Sequence, residues 1–178
     1  MRLNKIMMAA LLSISSVSLA HANQGKITFE GAIIDAPCSI SAKSMDQTIQ
    51  MGGISNALLS KNTNSGESEP QSFSIQLENC TVATAGTKDK VQVTFSGPST
   101  NYDTDSFGMV GDAQGAYLIL TGADGTKVKQ NEPTSVQSFI DGSSPNLTFS
   151  ARIKGGGSTA NITPGAFSVP LSFMLSYP

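Results

Sequence analysis

The 178-residue chain has no tryptophan, one histidine and few charges, with Asp, Glu, Lys and Arg together making up 13%. The histidine, His21, lies in a stretch that reads as an export leader. Once that leader is removed, no imidazole is left to serve as a general base or a metal ligand. Most hydrolase designs are thereby excluded. Asp and Glu are scattered, and no spacing picks out a catalytic carboxylate pair, so no enzyme, no metal and no cofactor is expected. Asp103-Thr-Asp105 is spaced like part of a calcium loop, but the glutamate that closes such a loop is absent.

Long apolar runs are missing too. The most hydrophobic stretch, residues 6–19, falls short of the roughly 20 residues of a membrane span and is broken by Ser13, Ser15, Ser16 and Ser18. A basic head carrying Arg2 and Lys5 precedes it, and Ala20-His-Ala22 fits a small-x-small cleavage site. Residues 1–22 therefore read as a signal peptide, and cleavage after Ala22 leaves 156 residues, enough for one domain. The remainder has nine basic side chains against 13 acidic ones, the wrong balance for nucleic acid, whose binding needs a basic face. Cysteine occurs twice, as Cys38 and Cys80. In an exported chain the default for this pair is a disulfide, contributing on the order of 3–4 kcal/mol in the loop-entropy model.

Alternation with a period of two is abundant. Phe73, Ile75 and Leu77 fall on one face of residues 71–80, Val91, Val93 and Phe95 on one face of 90–95, and Leu147, Phe149, Ala151 and Ile153 on one face of 146–154. Residues 47–51 read as a shorter strand, and 116–121 with 126–129 as a hairpin near the surface. One helical turn is expected within 54–60, and exposed polar loops over 61–70 and 99–114. Strands separated by Gly- and Pro-rich turns, with low charge, point to an all-β sandwich.

Both ends of the exported chain alternate as well. At the C-terminus Phe167, Val169, Leu171, Phe173, Leu175 and Tyr177 share one face; Pro170 within this strand cannot donate a hydrogen bond and should fall at an unpaired or bulged position. Near the N-terminus Ile27, Phe29, Gly31 and Ile33 share a face opposite Lys26, Thr28 and Glu30. A terminal strand this apolar needs cover, because an open edge beside a greasy face invites pairing.

Five features occur in order along the whole exported length: the alternating N-terminal extension, the segment Gly31-Ala-Ile-Ile-Asp-Ala-Pro-Cys38, a second half-cystine in Leu77-Glu-Asn-Cys80, a glycine fourteen residues from the end (Gly165), and the penultimate Tyr177. Together they resemble the pilin subunits of the chaperone–usher pathway, most closely the major rod subunit of P-type fimbriae. The resemblance implies an incomplete immunoglobulin-like β-sandwich lacking its last strand, which a donor strand completes. It implies a pilin domain over 36–178 with an acceptor groove along Gly165, Phe167, Val169, Leu171, Phe173, Leu175 and Tyr177. It also implies a donor-strand extension over 23–35, with Ile27, Phe29 and Ile33 as plugs and Gly31 where the groove is shallow. The partners implied are other pilin subunits (copies of itself and adjoining minor subunits), a periplasmic chaperone and an outer-membrane usher. The product is a rod used in adhesion, exported through the periplasm to the cell surface. A minor adaptor or terminating subunit of the same organelle is the alternative, ahead of a secreted carbohydrate-binding sandwich that would present exposed aromatics to sugars.

Overall fold

The computed structural model describes residues 26–33, 36–82 and 89–178. The expected signal peptide over 1–22 lies outside them. The chain divides into two units, Met1–Ile34 and Asp35–Pro178. In the first, residues 26–33 belong to no helix or strand, although their alternation predicts a strand. Alternation specifies which face a strand buries, but the ladder itself needs a partner strand.

Among its described residues the second unit carries eleven strands and three single turns assigned as helix, the last with Asn62 and Thr63 in the left-handed region. In chain order these are β1 (Ser39–Ile40), α1 (Ala42–Met45), α2 (Asn56–Leu59), α3 (Lys61–Asn64), β2 (Gln71–Glu78), β3 (Lys90–Ser96), β4 (Phe107–Gly108), β5 (Val110–Gly111), β6 (Ala116–Gly122), β7 (Lys127–Val128), β8 (Gln137–Ser138), β9 (Asn146–Gly155), β10 (Phe167–Ser168) and β11 (Ser172–Ser176). All pairings are antiparallel. A six-stranded sheet runs β1-β2-β9-β6-β4 with β7 also on β6, a three-stranded sheet runs β11-β3-β8, and β10 pairs with β5.

The long strands follow the sequence pattern, since their alternate side chains are the ones that leave water. Ile75 and Leu77, Val91, Val93 and Phe95, and Leu147, Phe149, Ala151 and Ile153 are all buried in one core. Phe95 bridges the layers, its ring centroid 5.0 Å from that of Phe149 in the facing sheet. The disulfide joins Cys38, just before β1, to Cys80, just after β2.

Four local expectations are corrected. The 47–51 strand joins no ladder. The 99–114 loop holds β4 and β5, and Phe107 in β4 is completely buried, so a single large apolar side chain outweighs its polar neighbours. The 61–70 loop is not simply exposed: α3 interrupts it, Gly66 is buried, and Ser68 N–H donates to Ile153 O at 2.8 Å. The 116–129 hairpin forms, but Ala116, Tyr117, Leu118, Ile119 and Leu120 are all buried, which puts β6 inside the sheet rather than near the surface.

Candidate functional site

The terminal segment changes partner along its length. Phe167 and Ser168 pair with Gly111 and Val110, whereas Ser172 through Ser176 pair with β3 from Ser96 to Gln92. Pro170 falls in the unpaired gap between β10 and β11, where its missing N–H leaves no ladder bond broken. Gly165 opens the segment where backbones come close: a Cβ there would lie 2.6 Å from Ala113 N and 2.7 Å from the carbonyl carbon of Asp112. Any larger residue would push this crossing apart and disturb the bonds from Asp112 N–H and Ala113 N–H to Ala166 O, at 2.9 and 3.1 Å.

A cavity of about 810 Å³ runs beside this segment. One wall is Gly165 to Leu171 with Phe173; the other is Met45 to Gly52; Phe73, Ile75, Phe95, Leu118, Leu120 and Ala151 form the floor. Phe167, Val169, Leu171 and Phe173 are half-buried and pack on the core from the groove side. The opposite wall escaped sequence reading. Ile49 and Met51 do alternate, but residues 47–53 make no backbone–backbone hydrogen bond among the described residues. Only side chains tie that wall down: Gln47 Nε2 donates to Ser74 O at 3.0 Å and to Ser44 O at 3.3 Å. The groove is thus apolar below and bordered on each side by main chain with free hydrogen-bonding groups, the shape and chemistry of a slot one strand wide.

The predicted groove residues separate into two sets. Gly165, Phe167, Val169, Leu171 and Phe173 line the cavity; Leu175 and Tyr177 share their face but lie beyond it. Tyr177 packs edge-on against Phe139, ring centroids 6.2 Å apart. Its hydroxyl is buried without a hydrogen-bond partner, and desolvation holds its pKa above the usual tyrosine value. A second cavity of about 250 Å³ continues the groove, sharing Gly52, Gly165 and Phe167 with it and adding Ile54, Leu59, Met109, Ile153 and Ile162.

The predicted donor residues lie in the other unit. Ile27, Phe29 and Ile33 are 80%, 92% and 106% exposed, and nothing lies within 4 Å of a Cβ built on Gly31. Tyr117, 7% exposed, offers no bare aromatic platform of the kind sugars stack on, and Tyr102, 39% exposed, stacks on it at 6.3 Å. Among the described residues no group of three or more His, Cys, Asp or Glu side chains is placed to hold a metal ion.

A half-open immunoglobulin-like sandwich with an apolar slot along its last strand is the architecture of a pilus subunit, and comparison with known proteins agrees. No family model matches the chain. The Fimbria A protein of Serratia marcescens is 41% identical over 180 residues, 99% of each chain. The Major MR/P fimbria protein of Proteus mirabilis is 37% identical over 182 residues, again 99% of each. Among solved structures, the P pilus rod subunit PapA superposes with a TM-score of 0.71 at 32% identity, covering 80% of this chain and 100% of that one. A chaperone–usher pilus subunit gives a TM-score of 0.75 at 34% identity, covering 88% and 96%. The chain belongs to the major fimbrial subunits of the chaperone–usher class. It is a structural subunit that assembles with other pilin subunits into a fimbrium at the cell surface.

Proposed function

We propose that this subunit polymerises by donor-strand exchange, residues 23–35 of one copy filling the groove of the next. The observation that carries the reading is the slot itself, an apolar floor between two stretches of main chain that carry no ladder across the groove, in a chain that also carries an alternating segment with three bare apolar side chains. Each of Ile27, Phe29 and Ile33 would gain roughly 1.5–3 kcal/mol on full burial, and the strand would satisfy main-chain groups along the slot. In this arrangement the leader over 1–22 is removed on export to the periplasm. A periplasmic chaperone lends a strand to the otherwise exposed groove, and the outer-membrane usher is where the next subunit's extension takes its place.

Direction follows from the family resemblance: the extension enters antiparallel to the terminal segment. Ile33 then lies at the Gly165 end, beside the second cavity, and Ile27 lies toward Phe173. Because that second cavity is open, an incoming extension has a place to begin filling the groove, which favours a polymerising subunit over a terminating one. Contacts of this kind are head-to-tail and build open filaments rather than closed rings. Deleting residues 23–34 tests the assignment: the variant should still be recovered in a chaperone complex, because its groove is intact, but should form no polymers. Long polymers from this variant would refute it.

A further inference from the structure

We propose that the turn of residues 139–143, opened by the exposed Ile140, forms a second contact between neighbouring subunits, seated on the rim of the next copy's groove at residues 53–56 and 162–164. The inference rests on the donor-strand reading above and adds a surface to it. Ile140 is 76% exposed, more than any other large apolar side chain described in Asp35–Pro178. It does not sit on a loose loop. Ser143 N–H donates to Ile140 O at 3.1 Å, Gly142 N–H to Cys80 O at 2.7 Å, and Val82 N–H to Asp141 Oδ1 at 2.8 Å. An apolar side chain held out on so well-tied a turn has little ordering entropy left to lose on docking.

The strand pairings fix which end of the sandwich this is. Thr81 N–H donates to Pro37 O at 2.8 Å, and with the Cys38–Cys80 bond this places Ile140 at the end where the chain enters the domain. The C-terminal end of β11 lies here too, through Tyr177 on Phe139. Gly165 and the second cavity lie at the opposite end, where Gln114 bridges Thr163 and Ala116 pairs with Gly155. An extension running antiparallel to the terminal segment brings Ile33 to that opposite end of the acceptor. Ile33 is only five residues from Cys38 of its own domain, a span of at most about 18 Å. That short span makes the Ile140 end of the donor subunit face the acceptor's rim, where Gly53, Asn56, Thr163 and Pro164 are exposed. The occupant is a second copy of this chain, and the contact continues the interface the donor strand begins.

A photo-cross-linking amino acid placed at position 140 of the full chain, with a parallel preparation carrying it at position 29, tests this in purified fimbriae. Irradiation at 140 should give covalent multimers whose adducts map by mass spectrometry to 53–56 or 162–164 of a second copy. Adducts confined to the same chain, adducts elsewhere, or no multimers, with position 29 still cross-linking into the groove, would overturn the end contact and leave donor-strand exchange standing. Failure at both positions removes donor-strand exchange and the end contact with it. If the bulky group blocks assembly, filaments of the Ile140→Ser variant are read instead. They should shed subunits in guanidinium about tenfold faster than the parent, and an unchanged rate overturns the contact.

Discussion

Phe95 and Phe173 sit directly opposite each other across the β3–β11 ladder, ring centroids 6.3 Å apart, yet Phe95 is 2% exposed while Phe173 borders the groove half-buried. The wall of the groove is thus braced on the same aromatic cluster that joins the two sheets. Truncating the two rings should have separable effects. Phe95→Ala removes a fully packed ring, at about 3–5 kcal/mol, and should abolish recovery of folded subunit. Phe173→Ala removes a ring that is already partly wet, which costs less in the subunit and more in the filament. Soluble chaperone-bound Phe173→Ala subunit with few filaments is expected. Equal loss of both species in the two variants would argue against a groove role for Phe173.

The disulfide closes the β1–β2 end, from which the donor segment departs, and is the only covalent tie among the described residues. Replacing both Cys38 and Cys80 by serine should remove about 3–4 kcal/mol, a large fraction of the stability of a sandwich one strand short. Periplasmic yield should fall sharply. Wild-type yield together with wild-type filament number would show that the bond contributes little.

On the outer face, Glu67 pairs with Lys154 at 2.8 Å and with Arg152 at 2.9 Å, tying the 61–70 segment to β9. The hydrogen bond from Lys154 is the main cause of a Glu67 pKa held below its ordinary value of 4.5; partial burial opposes it and the nearby Arg152 charge adds to it. A carboxylate whose folded pKa is depressed adds stability above its unfolded pKa and loses it as pH falls through the folded value. Glu67→Gln should therefore lower the melting temperature by roughly 1–3 °C at pH 7, a small effect because the pair is partly exposed. The gap between variant and parent should begin to narrow as pH falls below about 4.5 and close as pH passes through the lower folded pKa of Glu67. A gap of constant size from pH 7 to pH 3 would assign the effect to packing.

Where a segment's partners lie inside the chain, alternation alone predicted the structure: β2, β3 and β9 bury the side chains their period of two selects. Where no partner strand lies inside the chain, the same signal says less. Residues 47–51 alternate but join no ladder, because period records which face is to be buried and says nothing of what will pair with the edge; residues 26–33 alternate in the same way, and the partner proposed for them is another subunit. Phe107 was hidden by its polar surroundings, whereas the break between β10 and β11 was marked by Pro170, which cannot donate to a ladder. Half of the groove was readable, the half that lies on the terminal segment. Its second wall and its end at Phe173 depend on packing between segments more than a hundred residues apart in sequence.

A self-completing variant tests the groove in one molecule. The terminal strand ends beside Phe139, at the end of the groove where an antiparallel donor begins, so a copy of residues 25–35 fused after Pro178 through a turn of about four residues is correctly aimed. Burying the copies of Ile27, Phe29 and Ile33 should contribute roughly 5–8 kcal/mol before ordering costs. The short tether offsets part of those costs by holding the strand at millimolar or higher effective concentration. A net gain of only about 3 kcal/mol would raise the melting temperature by about 6–12 °C in a domain of this size. The fused chain should be a chaperone-independent monomer that accepts no further strand. Leucine in place of the copied Gly31 should erase much of the gain, because its side chain must enter where the donor needs to lie close to the floor. If the unfused chain without its leader is equally stable and equally monomeric by thermal unfolding and sedimentation, the slot needs no donor and the polymerisation mechanism fails.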